Sequence, residues 1–282
     1  MSAPQSVPLV GRLTGHLTGH RTAAFFDLDK TIIAKSSTLA FSKPFQAGGL
    51  ISRRAVLRSA YAQFVYLVGG ADHDQMEKLR AFMSQLCAGW EVATVQDIVA
   101  DTLHNVVDPI VYDEAVSLIE EHHLAGRDVI IVSTSGSEVV GPIGEMLGAD
   151  RVIATRMEVV DGKYTGEIDY YAYAEAKAEA IRALAEENGY DLARSYAYSD
   201  SITDVHMLEA VGHPHAVNPD KELRKVATGR GGQPEQLVEQ RLVTGDDQRR
   251  SHAANLPRPA DVRRGPPTGL WTPAGRRTPV HE

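Results

Sequence analysis

The sequence predicts an α/β fold, a mostly parallel sheet covered by helices on both faces and interrupted after its first strand by a long helical insert. Three observations carry this expectation. Short apolar runs of strand type alternate with stretches of helical periodicity, the pattern of strand–helix–strand units. One long helical region separates the first such run from the second. Acidic and hydroxyl-bearing residues cluster where the apolar runs stop, which is where open parallel sheets bind their ligands.

The elements follow in order. Thr22–Leu28 is an apolar run suited to a strand buried on both faces, and it ends in Asp27-Leu28-Asp29-Lys30-Thr31. Residues 36–107 read as helical. Within them, 52–68 place apolar side chains at 56, 57, 60, 61, 64, 65 and 68 and stop at Gly69-Gly70. The stretches 72–88 and 92–107 repeat the periodicity, and Asp108-Pro109 breaks it before a helix over 110–124. Strand character returns at Asp128–Ser133, followed by a helix over 137–147, a strand at Arg151–Thr155 and a hairpin over 158–168 turning at Asp161-Gly162. A helix over 174–188, a strand at Ser195–Ser199, a helix from Thr203, a strand at His215–Val217 and a helix over 220–228 complete the series.

Composition bounds the function. The 282 residues carry 29 basic and 37 acidic side chains, a formal charge of −8, which disfavours non-specific nucleic-acid binding. Residues 230–282 run the other way, with nine Arg against six acidic residues. Seven of the 14 prolines fall in 229–282, a disordered-tail composition, and 1–22 reads as a flexible leader. One cysteine excludes an internal disulfide and a Cys-rich zinc cluster; Cys87 sits in a periodic apolar stretch and reads as a core residue. No segment has the roughly 18 apolar residues of a membrane span, and the start lacks a secretory signal, so a cytoplasmic location is expected.

Asp27 and Asp29, one residue apart at a strand end, suit either a divalent cation or nucleophile and proton-transfer roles; a turn-forming, capping pair is the plain alternative. Thr31 stands where its hydroxyl can meet an anion. Asp200 and Asp204, after another strand, add oxygen ligands of the kind Mg²⁺ prefers, although a surface turn and a first-turn helix residue explain them equally in isolation. Ser133 and Thr134, followed by Ser135-Gly136-Ser137, make an anion cradle or an ordinary helix cap. Lys177 shares a helix face with Ile181 and Leu184 that could carry it inward, but taken alone it reads as a surface lysine paired with glutamate. His206, two residues past Asp204, reads as a helix-surface residue.

Taken in this order, FFDLDKT, VIIVSTS, Lys177 and YSDSITDVHMLEAVG, with AVNPD after them, resemble the motifs of the haloacid dehalogenase (HAD) superfamily. The chain looks like its subfamily IB, the phosphoserine-phosphatase-like branch, over Arg21–Thr228. The resemblance implies a HAD-like Rossmannoid core with a parallel sheet and a helical C1-type cap inserted after the first strand. It implies a Mg²⁺-dependent phosphomonoesterase that forms an aspartyl-phosphate. Asp27 is then the nucleophile and Asp29 the acid and base. Asp27, the main-chain carbonyl of Asp29, and Asp200 hold Mg²⁺ with Asp204 in support. Ser133, Thr134, Thr31 and Lys177 hold the phosphoryl group.

On this reading 23–34 and 111–228 form the catalytic core, 35–110 the cap and 229–282 the tail. The substrate is expected to be a small phosphorylated metabolite. The branch's amine-recognising glutamate has no counterpart in Ala34-Lys35-Ser36-Ser37, which argues against L-phosphoserine. The apolar residues Tyr61, Phe64, Val65, Tyr66, Leu67 and Val68 leave open a lipid-like phosphate, such as phosphatidylglycerophosphate or lysophosphatidate. A non-enzymatic phosphate-binding module is a further alternative. Peripheral membrane contact through the paired arginines of the tail is another expectation to test.

Overall fold

A computed structural model of the chain describes residues 21–51, 84–229 and 237–238. Most of the leader and tail, most of the expected helices over 52–68 and 72–88, and the apolar residues Tyr61–Val68 lie outside the described residues.

The sheet is built around β1 (Ala23–Phe26), whose four residues are all buried. Parallel to it run β2 (Asp128–Gly136) on one side and β5 (Tyr196–Ser199) on the other. The sheet continues outward through β3 (Arg151–Val160) to β4 (Lys163–Tyr170), and through β6 (His213–Val217) to β7 (Leu237–Val238). Every pairing is parallel except β3 with β4. The expected continuous apolar strands are explained by burial on both faces. Successive side chains alternate between two cores. Phe26, Val129 and Ile131 join Val95, Val99, Ile119, Val140 and Ile143 on one side. Phe25, Ile130 and Val132 join Ile181, Leu184, Met207 and Leu223 on the other.

The insert begins with α1 (Ser37–Ala40) and α2 (Ser42–Ala47) and ends with α3 (Val92–Val107), as the periodicity predicts for the last. It leaves and rejoins the core side by side: Ala34 N–H donates to the Ile110 carbonyl at 2.7 Å and Tyr112 N–H to the Ile32 carbonyl at 2.9 Å. The sequence suggested a small helical bundle here, most of which lies outside the described residues; among the described ones Phe41, Phe45, Val95 and Val99 share one apolar cluster with β1 and β2.

The remaining helices are α4 (Asp113–Leu124), α5 (Ser137–Met146), α6 (Glu175–Asn188), α7 (Val205–Glu209) and α8 (Lys221–Gly229). Two expectations about strands need correction. The strand at 151–155 and the start of the hairpin are one ten-residue strand, which pairs with β2 through its first half and β4 through its second. In addition, Leu237–Val238 of the expected tail pairs with β6 as β7. The hairpin turns where predicted, with φ of 50° at Asp161 and 75° at Gly162, the double left-handed turn that Asp-Gly favours. Its tip braces the insert: Val92 N–H reaches the Gly162 carbonyl at 3.0 Å and Tyr164 N–H the Trp90 carbonyl at 3.1 Å.

Candidate active site

Because β1, β2 and β5 are parallel neighbours, their carboxyl ends lie along one edge of the sheet. Asp27 follows β1 there, and its N–H is tied to the Tyr198 carbonyl of β5 at 2.9 Å. Asp200 follows β5, and Ser133 lies in the last part of β2. Lys177 reaches the same edge from α6. Its face continues through Ile181 and Leu184 into the apolar core, which buries the lysine to 2% exposure. The ammonium donates to Asp27 Oδ1 at 2.7 Å and to Asp204 Oδ2 at 2.9 Å. Spacing alone favoured a surface lysine here; the structure buries Lys177 instead, where the resemblance put it, and the two carboxylates that compensate it come from the first and last motifs.

The loop carrying Asp200 and Asp204 is held by residues that sequence reasoning did not assign. Ser199 Oγ donates to Asp204 Oδ2 at 2.7 Å, so this serine orients a buried carboxylate. Asp220 Oδ2 accepts the Ile202 N–H at 2.9 Å, its Oδ1 accepts the Leu223 N–H at 2.8 Å, and its own N–H donates to the Asp200 carbonyl at 2.7 Å. Asp220 belongs to AVNPD, so its signal was present as part of a motif without a chemical role.

Asp29 stands apart from the lysine pair. Its Oδ1 accepts the Ser37 N–H at 2.9 Å and its Oδ2 the Ser135 hydroxyl at 3.2 Å. Thr31 is buried, and its Oγ1 has no hydrogen-bond partner among the described residues. Ser133, also buried, accepts the Ser135 N–H at 3.2 Å, which leaves its O–H as a donor. Thr134 differs: its hydroxyl donates to the Ala172 carbonyl at 2.9 Å. Lys30, with φ of 63°, swings its ammonium to 3.9 Å from Asp200. His206 is half exposed on α7 and pairs with Glu175 at 3.1 Å, away from the carboxylates. Cys87 is partly buried against the core and its thiol is pushed up to about 11 by burial and by Glu138, which leaves no thiolate at neutral pH.

The electrostatics are those of crowded acids. Burial raises Asp27 well above the ordinary carboxylate range; the Lys177 charge pulls it down, and Asp204 pushes it up again. Burial also raises Asp29 against the hydrogen bonds from Ser37. Asp200 is lifted to about 6 by burial, with Lys30 opposing and Asp204 and Asp220 adding to the rise. Burial disfavours the charge on Lys177, but Asp204 and Asp27 more than offset it, so the ammonium is held firmly. Four acids and one buried lysine therefore leave an excess of carboxylate that favours a further cation.

Comparison with known proteins gives the family. The sequence model for haloacid dehalogenase-like hydrolases matches residues 24–209, the span that carries every residue of the cluster except Asp220. The chain belongs to the haloacid dehalogenase-like hydrolases. Among relatives of this HAD protein, one from Streptomyces azureus named "inhibition of morphological differentiation protein" is 73% identical over 75% of this chain and 76% of its own. A "probable phosphatase" of Mycobacterium tuberculosis is 64% identical over 75% of this chain and 74% of its own. The fold resembles a structure described as a phospho-aspartyl intermediate analogue of phosphoserine phosphatase, with a TM-score of 0.54 and 21% identity over 73% of this chain and 91% of that one. The HAD protein is an enzyme, a phosphatase of this family with a subfamily IB-like fold and cap helices between β1 and β2. Among the described residues no helix is long and apolar enough to cross a membrane.

Proposed function

We propose that this HAD phosphatase is a Mg²⁺-dependent phosphomonoesterase acting through an aspartyl-phosphate on Asp27, with a small phosphorylated metabolite as substrate. The observation that carries the reading is the buried Lys177 ammonium, 2.7 Å from Asp27 and 2.9 Å from Asp204 at the carboxyl edge of the sheet. In the first step Asp27 forms a bond to phosphorus, the bond from phosphorus to the ester oxygen breaks, and Asp29 gives that oxygen a proton. In the second, Asp29 takes a proton from water, the water oxygen bonds phosphorus, and the bond to Asp27 breaks. Lys177 and the Ser133 hydroxyl hold phosphoryl oxygens as charge moves. The orphaned Thr31 hydroxyl fits the same anion, since a buried donor without a partner is costly. With its side chain bonded to Ala172, any part Thr134 has in holding the anion falls to its main-chain N–H.

The residues fit a divalent ion. Among the described residues no three His, Cys, Asp or Glu side chains form a metal-holding cluster. Mg²⁺ needs fewer, because it usually takes one or two carboxylates and completes its shell with water and substrate oxygens. Asp27, Asp200 and the Asp29 carbonyl would hold it, with Asp204 in support. When bound, it supplies charge that masks the repulsion between nucleophile and phosphate. The paired exits at 32–34 and 110–112 support 35–110 as the cap. Lys35 and Ser36, where amine-recognising enzymes of the branch carry a carboxylate, support a substrate other than L-phosphoserine.

Hydrolysis of 4-nitrophenyl phosphate and of a panel of sugar, glycerol and amino-acid phosphates tests the reading. Turnover is expected to require Mg²⁺, to stop with EDTA, and to fall by at least about 10³-fold in Asp27→Asn. Full activity in Asp27→Asn would overturn the mechanism.

A further inference from the structure

Both carboxylate oxygens of Asp29 are held from the junction between insert and core. Oδ1 accepts the N–H of Ser37, in the first turn of α1, and Oδ2 accepts the hydroxyl of Ser135, from the end of β2. Ser135 is gripped in turn. Ser37 Oγ donates to Ser135 Oγ at 2.8 Å, and Thr38 Oγ1 lies 3.3 Å from it. The Ser135 N–H is fixed on Ser133 Oγ at 3.2 Å. Ser37 is fully buried, so its hydroxyl has been kept inside for this contact. The preceding residue, Ser36, stands at the helix cap and makes no side-chain capping bond; Asp29 takes the first-turn N–H instead.

The torsion that turns a carboxyl plane about its Cβ–Cγ bond is soft. A general acid works only when its proton lies along the line to the leaving oxygen, and small misplacements cost large factors in rate. Two bonds from different elements remove that freedom.

We propose that Ser135, backed by Ser37 and Thr38, is a positioning residue that sets the plane of the Asp29 carboxyl and ties its aim to the seat of α1 on the core. The proposal rests on the reading of Asp29 as the acid. Protonation matters when the bond from phosphorus to an alkyl oxygen breaks, since its electron pair would otherwise leave on an alkoxide. A 4-nitrophenolate departs as the stable anion and needs the proton far less. The tether therefore governs one class of ester more than the other, which a merely structural role would not do.

The experiment compares kcat/KM for benzyl phosphate and 4-nitrophenyl phosphate, at saturating Mg²⁺, in the full chain and its variants. This parameter includes leaving-group departure and excludes the later attack of water. Ser135→Ala is expected to lose about 30-fold on the benzyl ester and under about threefold on the nitrophenyl ester. Ser135→Thr, which keeps the hydroxyl, is expected to restore the benzyl ester to within about threefold. Ser37→Ala keeps its N–H and should fall between, in the same sense, and it serves equally should Ser135→Ala fold poorly. Asp29→Asn is the control and should show the largest selective loss. Equal losses on both esters in Ser135→Ala and Ser37→Ala, with selective loss in Asp29→Asn, overturn the tether alone. Equal losses in Asp29→Asn overturn the acid assignment and the tether with it.

Discussion

Lys177 is a fully buried ammonium compensated by two buried carboxylates, and that makes its removal costly in a specific way. Lys177→Met leaves the buried Asp27 and Asp204 carboxylates without the cation they share, a loss on the order of 3 kcal/mol at neutral pH. Asp27, already raised by burial and by the Asp204 charge, then loses the lysine that pulled it down and holds a proton that the unfolded chain releases. Stability of this variant is therefore expected to rise as pH falls from 7 toward 5, measured by urea unfolding at each pH. Phosphatase turnover should be lost at every pH. The inward aim of this lysine was legible through the family resemblance and not through its spacing to Ile181 and Leu184, which suits a surface lysine as well. Its partners were not, because a helix face says nothing about which carboxylate, 150 residues away in sequence, will meet it. Ser37, Ser135 and Ser199 were still less legible. Serine is common at turns and caps; the loop itself brings Ser199 to Asp204, while only the approach of β2 to the start of the insert brings Ser135 to Asp29 and Ser37.

At the scale of elements, the strands and most helices follow from period and punctuation. Asp161-Gly162 turns the hairpin because both residues tolerate positive φ, and Gly189, with φ of 71°, ends α6 for the same reason. Gly212 is different. A Cβ there would stand 1.8 Å from the Ala193 carbonyl oxygen, a main-chain atom that cannot swing aside. Gly212→Ala is expected to destabilise the fold by about 2 kcal/mol or more, seen as a lower Tm, because the approach of the β6 entry to the turn before β5 must open. No sequence signal separates this glycine from its neighbours, since the close contact is made by a segment some twenty residues earlier. The reach of β3 was missed for a related reason: its second half is exposed, so the apolar run that marks a buried strand stops halfway while the backbone pairing continues.

At the scale of the whole molecule, an aromatic layer crosses three strands. Phe26 stacks on Tyr198 at 4.5 Å and Tyr198 on His215 at 4.7 Å, while Arg127 lies 4.5 Å over Tyr196. His122 of α4 meets this layer edge-on, its Nε2 2.9 Å from the Tyr198 hydroxyl. Burial, with Arg127 and His215 acting in the same sense, lowers its pKa to about 4. The folded form thus keeps His122 neutral while the unfolded chain protonates it near 6.5, so its contribution is complete above that pH and is lost as pH falls toward 4. Asp200, raised to about 6, runs the other way, since the fold holds its proton between there and the unfolded value of 3.8. The two oppose each other in the intact chain. Urea unfolding should therefore show the chain losing about 2 kcal/mol more than His122→Phe between pH 7 and 4.5, the difference isolating the histidine. Equal losses would remove it as the acid-sensitive group. The sequence by itself determined the family, the order of strands and helices, the place of the insert and the residues at the sheet's carboxyl edge, because each rests on local spacing that survives without contacts. The tertiary structure alone decided which acid meets Lys177, which hydroxyls turn Asp29, and how the hairpin braces the insert. Each of these is a meeting of groups far apart in the chain, and short-range hydrogen bonding and packing act only once folding has brought them within a few ångströms.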